Sequence, residues 1–118
     1  MSTIRANGLV HDHEECGAGA ARVFIHGAFA DARMWDPQWQ PFSSRFRLLR
    51  YDLRGHGRTG ASSLPVYTLA TFADDLASLL EALDIRNPIL CGQSFGGSIA
   101  QAFAVNHPQR PRALILAG

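Results

Sequence analysis

Residues 89–105 read ILCGQSFGGSIAQAFAV, and one serine stands there between two glycines: Gly92-Gln93-Ser94-Phe95-Gly96. A short apolar run precedes this pentapeptide and a helical pattern of small and apolar residues follows it. Alone, Gly-x-Ser-x-Gly is weak evidence, because glycine and serine crowd turns of every kind. Between a strand and a helix it says more. There the serine backbone is strained, and its neighbours must be small so that strand and helix can approach closely. Gly92, Gly96, Gly97 and Ser98 supply those neighbours.

The same placement supplies electrostatics. Ser94 would stand at the N-terminus of a helix beginning near Phe95, where free N–H groups and the positive end of the dipole face a reacting carbonyl. The Phe95 N–H is then a natural oxyanion donor, and a second must come from another loop at the same sheet edge. The candidate is His26-Gly27-Ala28-Phe29, which follows the short apolar strand expected at residues 22–25.

Working outward, Asn7-Gly8 is a strong hairpin signal between possible strands at residues 3–5 and 9–13. Residues 16–20 read as a small loop containing glycine. Residues 32–44 carry Met34, Trp35, Trp39 and Phe42 in a partly helical pattern interrupted by Pro37 and Pro41. Residues 46–51 and 88–91 read as strands, and residues 113–117 as a last strand. Leu69, Phe72, Ala73, Leu76, Leu79, Leu80 and Leu83 recur at helical spacing, so residues 69–83 form an amphipathic helix. A further helix spans residues 94–106 and stops before Pro108. Strands alternating with helices argue for an α/β fold whose mostly parallel sheet is covered on both faces. The runs at 23–25, 89–91 and 114–116 are apolar throughout, as doubly covered strands should be.

The chain has 118 residues, 47% hydrophobic and 18% charged, the profile of one globular domain. Its eleven cations are all arginine, spread along the sequence, and the formal net charge is +1. This gives no nucleic-acid footprint and no basic membrane patch. Cys16 and Cys91 make neither a disulfide framework nor a metal motif. No signal peptide or membrane span is visible, so the expected location is the cytoplasm. No metal or cofactor is expected.

Taken together, FIHGAFADARMWDPQW, RYDLRGHGRT, TFADDLASLLEAL, CGQSFGG and HPQRPRALILAG resemble, in order and character, the N-terminal portion of α/β-hydrolase fold enzymes. The likeness is greatest to the bacterial serine esterase, lactonase and cofactor-free haloperoxidase branch, and runs from about Thr3 to Gly118. It implies an α/β-hydrolase fold truncated after the strand that follows the nucleophile helix, with residues 1–118 as the front part of a single domain. By that resemblance Ser94 is the nucleophile, and the amides of Ala28 and Phe95 line the oxyanion hole. Phe29 and Gln93 border a possible substrate pocket. Serine at the elbow, where aspartate would be required, argues against the haloalkane dehalogenase and epoxide hydrolase branches. Phe29, where perhydrolysing relatives tend to have proline, tilts the expectation toward plain ester hydrolysis.

The remaining polar residues have structural readings. His26 and His56 read as loop scaffolding rather than general bases, and Asp52 and Arg54 as residues that hold the loop after the fourth strand. His107 suits a helix C-terminus. His11 and His13 fall on one face of the hairpin; a metal site there is possible but unsupported. Thr59 stands where the family usually has serine. Pro111 stands where it usually has valine, and is expected to delay the last strand.

The triad order in this fold is serine, then aspartate or glutamate, then histidine. After Ser94 the sequence has no acidic residue, and its only histidine is His107. Helical rise puts His107 roughly 18 Å or more from Ser94. The resemblance therefore implies an acid and a histidine beyond Gly118. Two readings follow. One is a serine hydrolase of small-molecule esters, lactones or thioesters, nearly inactive as these 118 residues alone. The alternative is a non-catalytic fragment or small-ligand binding module that retains the elbow. An open sheet edge at residues 113–117 implies self-association or a complementary C-terminal segment as partner.

Overall fold

The computed structural model describes residues 1–60 and 67–118. Among these residues six strands form one sheet: β1 (Ser2–Ala6), β2 (Leu9–Cys16), β3 (Ala21–Ile25), β4 (Arg47–Tyr51), β5 (Ile89–Gln93) and β6 (Ala113–Ala117). Their spatial order is β1-β2-β4-β3-β5-β6. The β1–β2 and β2–β4 pairs are antiparallel, and the β4–β3, β3–β5 and β5–β6 pairs are parallel. The hairpin turns at Asn7 and Gly8, both at positive φ (52° and 73°), as a two-residue turn matched to strand twist requires.

Side chains alternate across the sheet, and the two faces are covered by different helices. Val23, Ile25, Leu49, Tyr51 and Leu90 share a core with α2 (Leu69–Ala82) and α3 (Phe95–Asn106). On the other face Phe24, Leu48 and Cys91 pack with Trp35 and Trp39, which come from a 3-10 turn (Ala32–Trp35) and α1 (Asp36–Ser43). The proline interruption is real but mild. Pro37 opens α1, where its missing N–H is no loss, and Pro41 lies within the helix.

The helix expected at 69–83 runs from Leu69 to Ala82, with Thr68 as N-cap accepting from the Thr71 N–H at 3.2 Å. Leu69 itself is exposed, because it sits in the first turn, short of the buried stripe that begins at Phe72.

One expectation fails. The run at 114–116 is not doubly covered: Leu114 is half-buried, and Ile115 and Leu116 are 46% and 50% exposed. The reason is position. The helices lie over the centre of the sheet, whereas β6 is outermost and has β5 as its only strand partner among the described residues. Conversely, Val23 and Phe24 are fully covered. Pro111 precedes the strand, which begins at Ala113.

Candidate active site

Strand β5 ends at Gln93 and α3 begins at Phe95, so Ser94 alone makes the turn between them. Its backbone is at φ 54°, ψ −114°, a left-handed φ that side chains other than glycine adopt at a cost on the order of 1–3 kcal/mol. The turn is over-determined by its neighbours. The Ser94 N–H donates to the Ala117 carbonyl at 2.8 Å, and the Ser94 carbonyl accepts from Gly97 and Ser98 at 2.9 and 3.3 Å. The hydroxyl makes no capping bond and the residue is exposed. A serine held in this way presents a free Oγ at a helix N-terminus.

Small residues are obligatory here. A Cβ at Gly92 would collide with the Gly96 carbonyl and lie 2.6 Å from the Gly97 Cα. A Cβ at Gly96 would run into the Ile25 carbonyl and lie 2.7 Å from that of His26. Thus the start of α3 abuts the end of β3, and the loop leaving β3 is brought to the elbow. Gly27 completes the contact: a Cβ there would strike the Gln93 side-chain oxygen and approach the Gln93 carbonyl to 3.2 Å. Ala28 and Phe29 follow, both exposed, with Phe29 at φ 63°. Ser94, Phe95 and the 27–29 loop therefore meet at one sheet edge. Gln93 is half-buried between that loop and Gly118, whose Cβ position lies 3.7 Å from the Gln93 Nε2. The Phe95 ring turns inward, edge-on to Phe72 at 5.1 Å, leaving its backbone at the turn.

A cavity of ≈ 490 Å³ lies to one side, lined by Glu14, Asp31, Arg33, Arg50, Asp52 and Arg58 among others, and none of Ser94, Ala28, Phe29, Gln93 or Phe95 borders it. Its charges are largely matched: Arg50 pairs with Glu14 and Asp36, and Arg33 with Asp31. The hydrogen bonds from Arg33 hold the Asp31 carboxyl down at about 2.

The loops behind the elbow are tied by polar side chains. Asp52 accepts from the Ala32 N–H at 2.8 Å and from the Arg58 N–H at 2.9 Å. Arg54 grips Asp75 of α2 through two bonds of 2.7 and 2.9 Å, and Asn7 adds a third at 2.8 Å. The Thr59 hydroxyl accepts from the Asp12 N–H at 3.0 Å, so threonine does here what a serine hydroxyl would do.

All five histidines lie among the described residues. His26 is buried and its ring nitrogens face Leu53 N at 3.0 Å and Gly27 O at 2.7 Å. His56 is bonded through Nδ1 to the Arg54 carbonyl at 3.0 Å, His107 caps α3, and His11 and His13 are buried on β2. No group of three or more His, Cys, Asp and Glu among the described residues could hold a metal ion. None of the described helices is long and apolar enough to cross a membrane.

Sequence reasoning missed Asp75. The signal was present: a carboxylate on the apolar stripe between Phe72 and Leu79 needs a buried partner, and Arg54 is that partner. His11, which the sequence places with His13 on one face of the hairpin, lies fully buried 3.7 Å from Asp75.

A mostly parallel sheet covered on both faces, with a strained serine at a strand-to-helix turn, defines an α/β hydrolase architecture. The chain belongs to the α/β hydrolase fold family, whose model matches residues 23–118. It is 32% identical over 119 residues to the 2-hydroxymuconate semialdehyde hydrolase of Pseudomonas sp. (strain CF600), covering 98% of this chain and 42% of that protein. A thermophilic esterase from Thermogutta terrifontis superposes with a TM-score of 0.93 at 32% identity, over 98% of this chain and 45% of that one. A mutant epoxide hydrolase from Vigna radiata does so with a TM-score of 0.93 at 30% identity, over 98% and 37%. The chain spans less than half the length of the curated relatives it matches.

Proposed function

We propose that the chain is the N-terminal portion of a single hydrolase domain that cleaves carboxylic esters, lactones or thioesters through an acyl-enzyme at Ser94. The observation that carries this reading is the Ser94 turn itself: left-handed φ, exposed hydroxyl, no capping bond, at the edge where the 27–29 loop abuts the start of α3. In the proposed step, Oγ attacks the carbonyl carbon and loses its proton to a histidine. The Phe95 and Ala28 N–H groups hold the oxyanion, and the alcohol or thiol leaves with that proton. Water then hydrolyses the acyl-enzyme with the proton transfers reversed. Phe29 and Gln93 border the substrate.

The relatives' names cover more than one hydrolytic chemistry. Ser94 at the elbow favours acyl transfer over epoxide opening, for which the nucleophile would be a carboxylate. The histidine and its acid are proposed to lie beyond Gly118, which the greater length of the relatives supports. So does the placement of the histidines: His26 and His56 bond to loop backbone, His107 ends α3, and His11 and His13 are buried on β2. No cofactor or metal is part of this reading. Two unpaired thiols, Cys16 and Cys91, suit a reducing compartment such as the cytoplasm. The open outer edge of β6 supports self-association or pairing with a complementary C-terminal segment.

A fluorophosphonate and intact-mass analysis test the nucleophile. One adduct, formed slowly for want of the histidine proposed beyond Gly118, is expected in the native chain and none in Ser94→Ala. No adduct on the folded native chain would favour the other class, a non-catalytic α/β-hydrolase module that binds a small ligand.

A further inference from the structure

The two ring nitrogens of His26 face partners whose roles are not interchangeable. The Leu53 N–H, 3.0 Å from Nε2, can only donate, so Nε2 must accept and carries no proton. The Gly27 carbonyl, 2.7 Å from Nδ1, can only accept, so Nδ1 must be the protonated nitrogen. The geometry therefore fixes a neutral ring and a single tautomer.

The acceptor of that Nδ1–H matters more than its donor. The Gly27 oxygen belongs to the Gly27–Ala28 peptide, and the nitrogen of the same peptide is Ala28 N. A trans amide is planar, with its carbonyl and N–H on opposite sides, and no peptide in the described residues is cis. Whatever aims the Gly27 oxygen also aims the Ala28 N–H. Two donors aim it: His26 Nδ1, and the Ala30 N–H at 3.2 Å.

We infer that His26 is a positioning residue, a neutral clamp that sets the orientation of the Gly27–Ala28 peptide, and that a second proton at Nε2 releases it. This inference rests on the reading of Ala28 as an oxyanion donor. Protonated Nε2 would point its N–H at the Leu53 N–H, two donors with no acceptor between them in a buried site. The ring must then leave Leu53, and the bond to Gly27 goes with it. The groups facing the ring act in both directions. Burial holds the proton off most strongly, and His56, its ring 5.3 Å away, opposes it too. The Gly27 carbonyl, Asp52 and Asp31 favour the proton, with the balance below the ordinary histidine value. The site would thus be disarmed in acid by a group separate from the catalytic base.

Isotope-labelled NMR on the native chain tests this directly. At neutral pH the His26 ring should show the Nδ1–H tautomer. On acidification the Ala28 and Leu53 amides should shift with the same midpoint as the ring, below the ordinary histidine value. An Nε2–H tautomer, or an Ala28 amide that stays still while His26 titrates, overturns the clamp. Two variants separate the two bonds. His26→Asn keeps a donor near Gly27 O but cannot titrate; His26→Gln places an acceptor near Leu53 and loses that donor. Labelling of Ser94 by a fluorophosphonate at neutral pH should stay within about threefold in the first and fall at least about tenfold in the second. In acid, the native chain should lose about a further tenfold per pH unit relative to His26→Asn, the slope of one protonation. Equal labelling of the two variants overturns the proposal. Labelling absent from every chain at every pH bears on the nucleophile and its histidine rather than on the clamp, which the NMR coupling still decides.

Discussion

The Ser94 N–H donates to the carbonyl of Ala117, 2.8 Å away, so the turn that carries the hydroxyl is fastened to the last residue of the outermost strand. A residue whose φ is held at 54° depends on such ties. Removing Ala117 and Gly118 should speed exchange of the Ser94 amide about fivefold, the equivalent of one hydrogen bond of about 1 kcal/mol. Ser94 labelling should slow in parallel. Amide exchange resolved at Ser94 measures the first effect; an unchanged rate would show that the elbow holds without β6.

The three glycines around the turn are not equivalent. At Gly92 and Gly96 an added methyl meets backbone atoms that cannot swing aside, whereas at Gly97 its nearest neighbour is the Gly92 carbonyl oxygen at 3.4 Å, an ordinary contact. Gly92→Ala and Gly96→Ala should each cost about 1–3 kcal/mol or more through overpacking. Gly97→Ala should be neutral, or stabilising by about 0.5–1 kcal/mol through helix propensity. Urea melts of the three variants give the comparison. A uniform loss across all three would mean that backbone freedom, not close approach, explains the glycines.

Much of this architecture was legible because it is written locally. Asn7-Gly8 demands a tight turn, and Gly92-x-Ser94-x-Gly96 between an apolar run and a helical pattern demands a close strand-to-helix junction. What escaped was non-local. On composition alone the apolar pentapeptide 113–117 reads as a doubly covered strand; only the family resemblance, which puts further strands beyond it, implied its open edge. The partnership of Arg54 with Asp75 crosses from a loop to a helix, so only the misplaced charge on the stripe could signal it. His26 looked like scaffolding, which it is, yet its link to the Ala28 amide appears only once Leu53 and Gly27 are seen on opposite ring nitrogens.

Asp75 makes acid stability testable. Burial disfavours its charge more than any other single influence does, but His11, Arg54 and Asn7 together outweigh it and hold the carboxyl below the usual range. Because the folded value is depressed, the stabilisation is full above the unfolded carboxylate value of about 4 and is lost as pH falls from there toward the folded value. Asp75→Asn leaves Arg54 buried without its counter-charge and should cost about 3–5 kcal/mol at neutral pH. It should also flatten the acid limb of stability. Urea midpoints at neutral pH and at about pH 3 supply both readings, and an unaltered acid limb would assign acid sensitivity to other carboxylates.

The outer edge of β6 sets the behaviour of the chain in solution. Ala113-Leu114-Ile115-Leu116-Ala117 carries no charge and no proline, the devices by which exposed edges are usually kept from pairing. Ile115 and Leu116 are 46% and 50% exposed on it, and Val105 on the neighbouring helix is 79% exposed. A second copy can satisfy the edge by strand addition while covering these side chains, so the 118-residue chain should self-associate as its concentration rises. A lysine on the edge should oppose this by burying a charge wherever strands meet. Size-exclusion chromatography with multi-angle scattering should show a mass that grows with loading for the native chain and a shift toward monomer for Leu116→Lys. If the native chain elutes as a monomer at every concentration and melts in one sharp transition, the β6 edge is not adhesive and the fold tolerates its exposure.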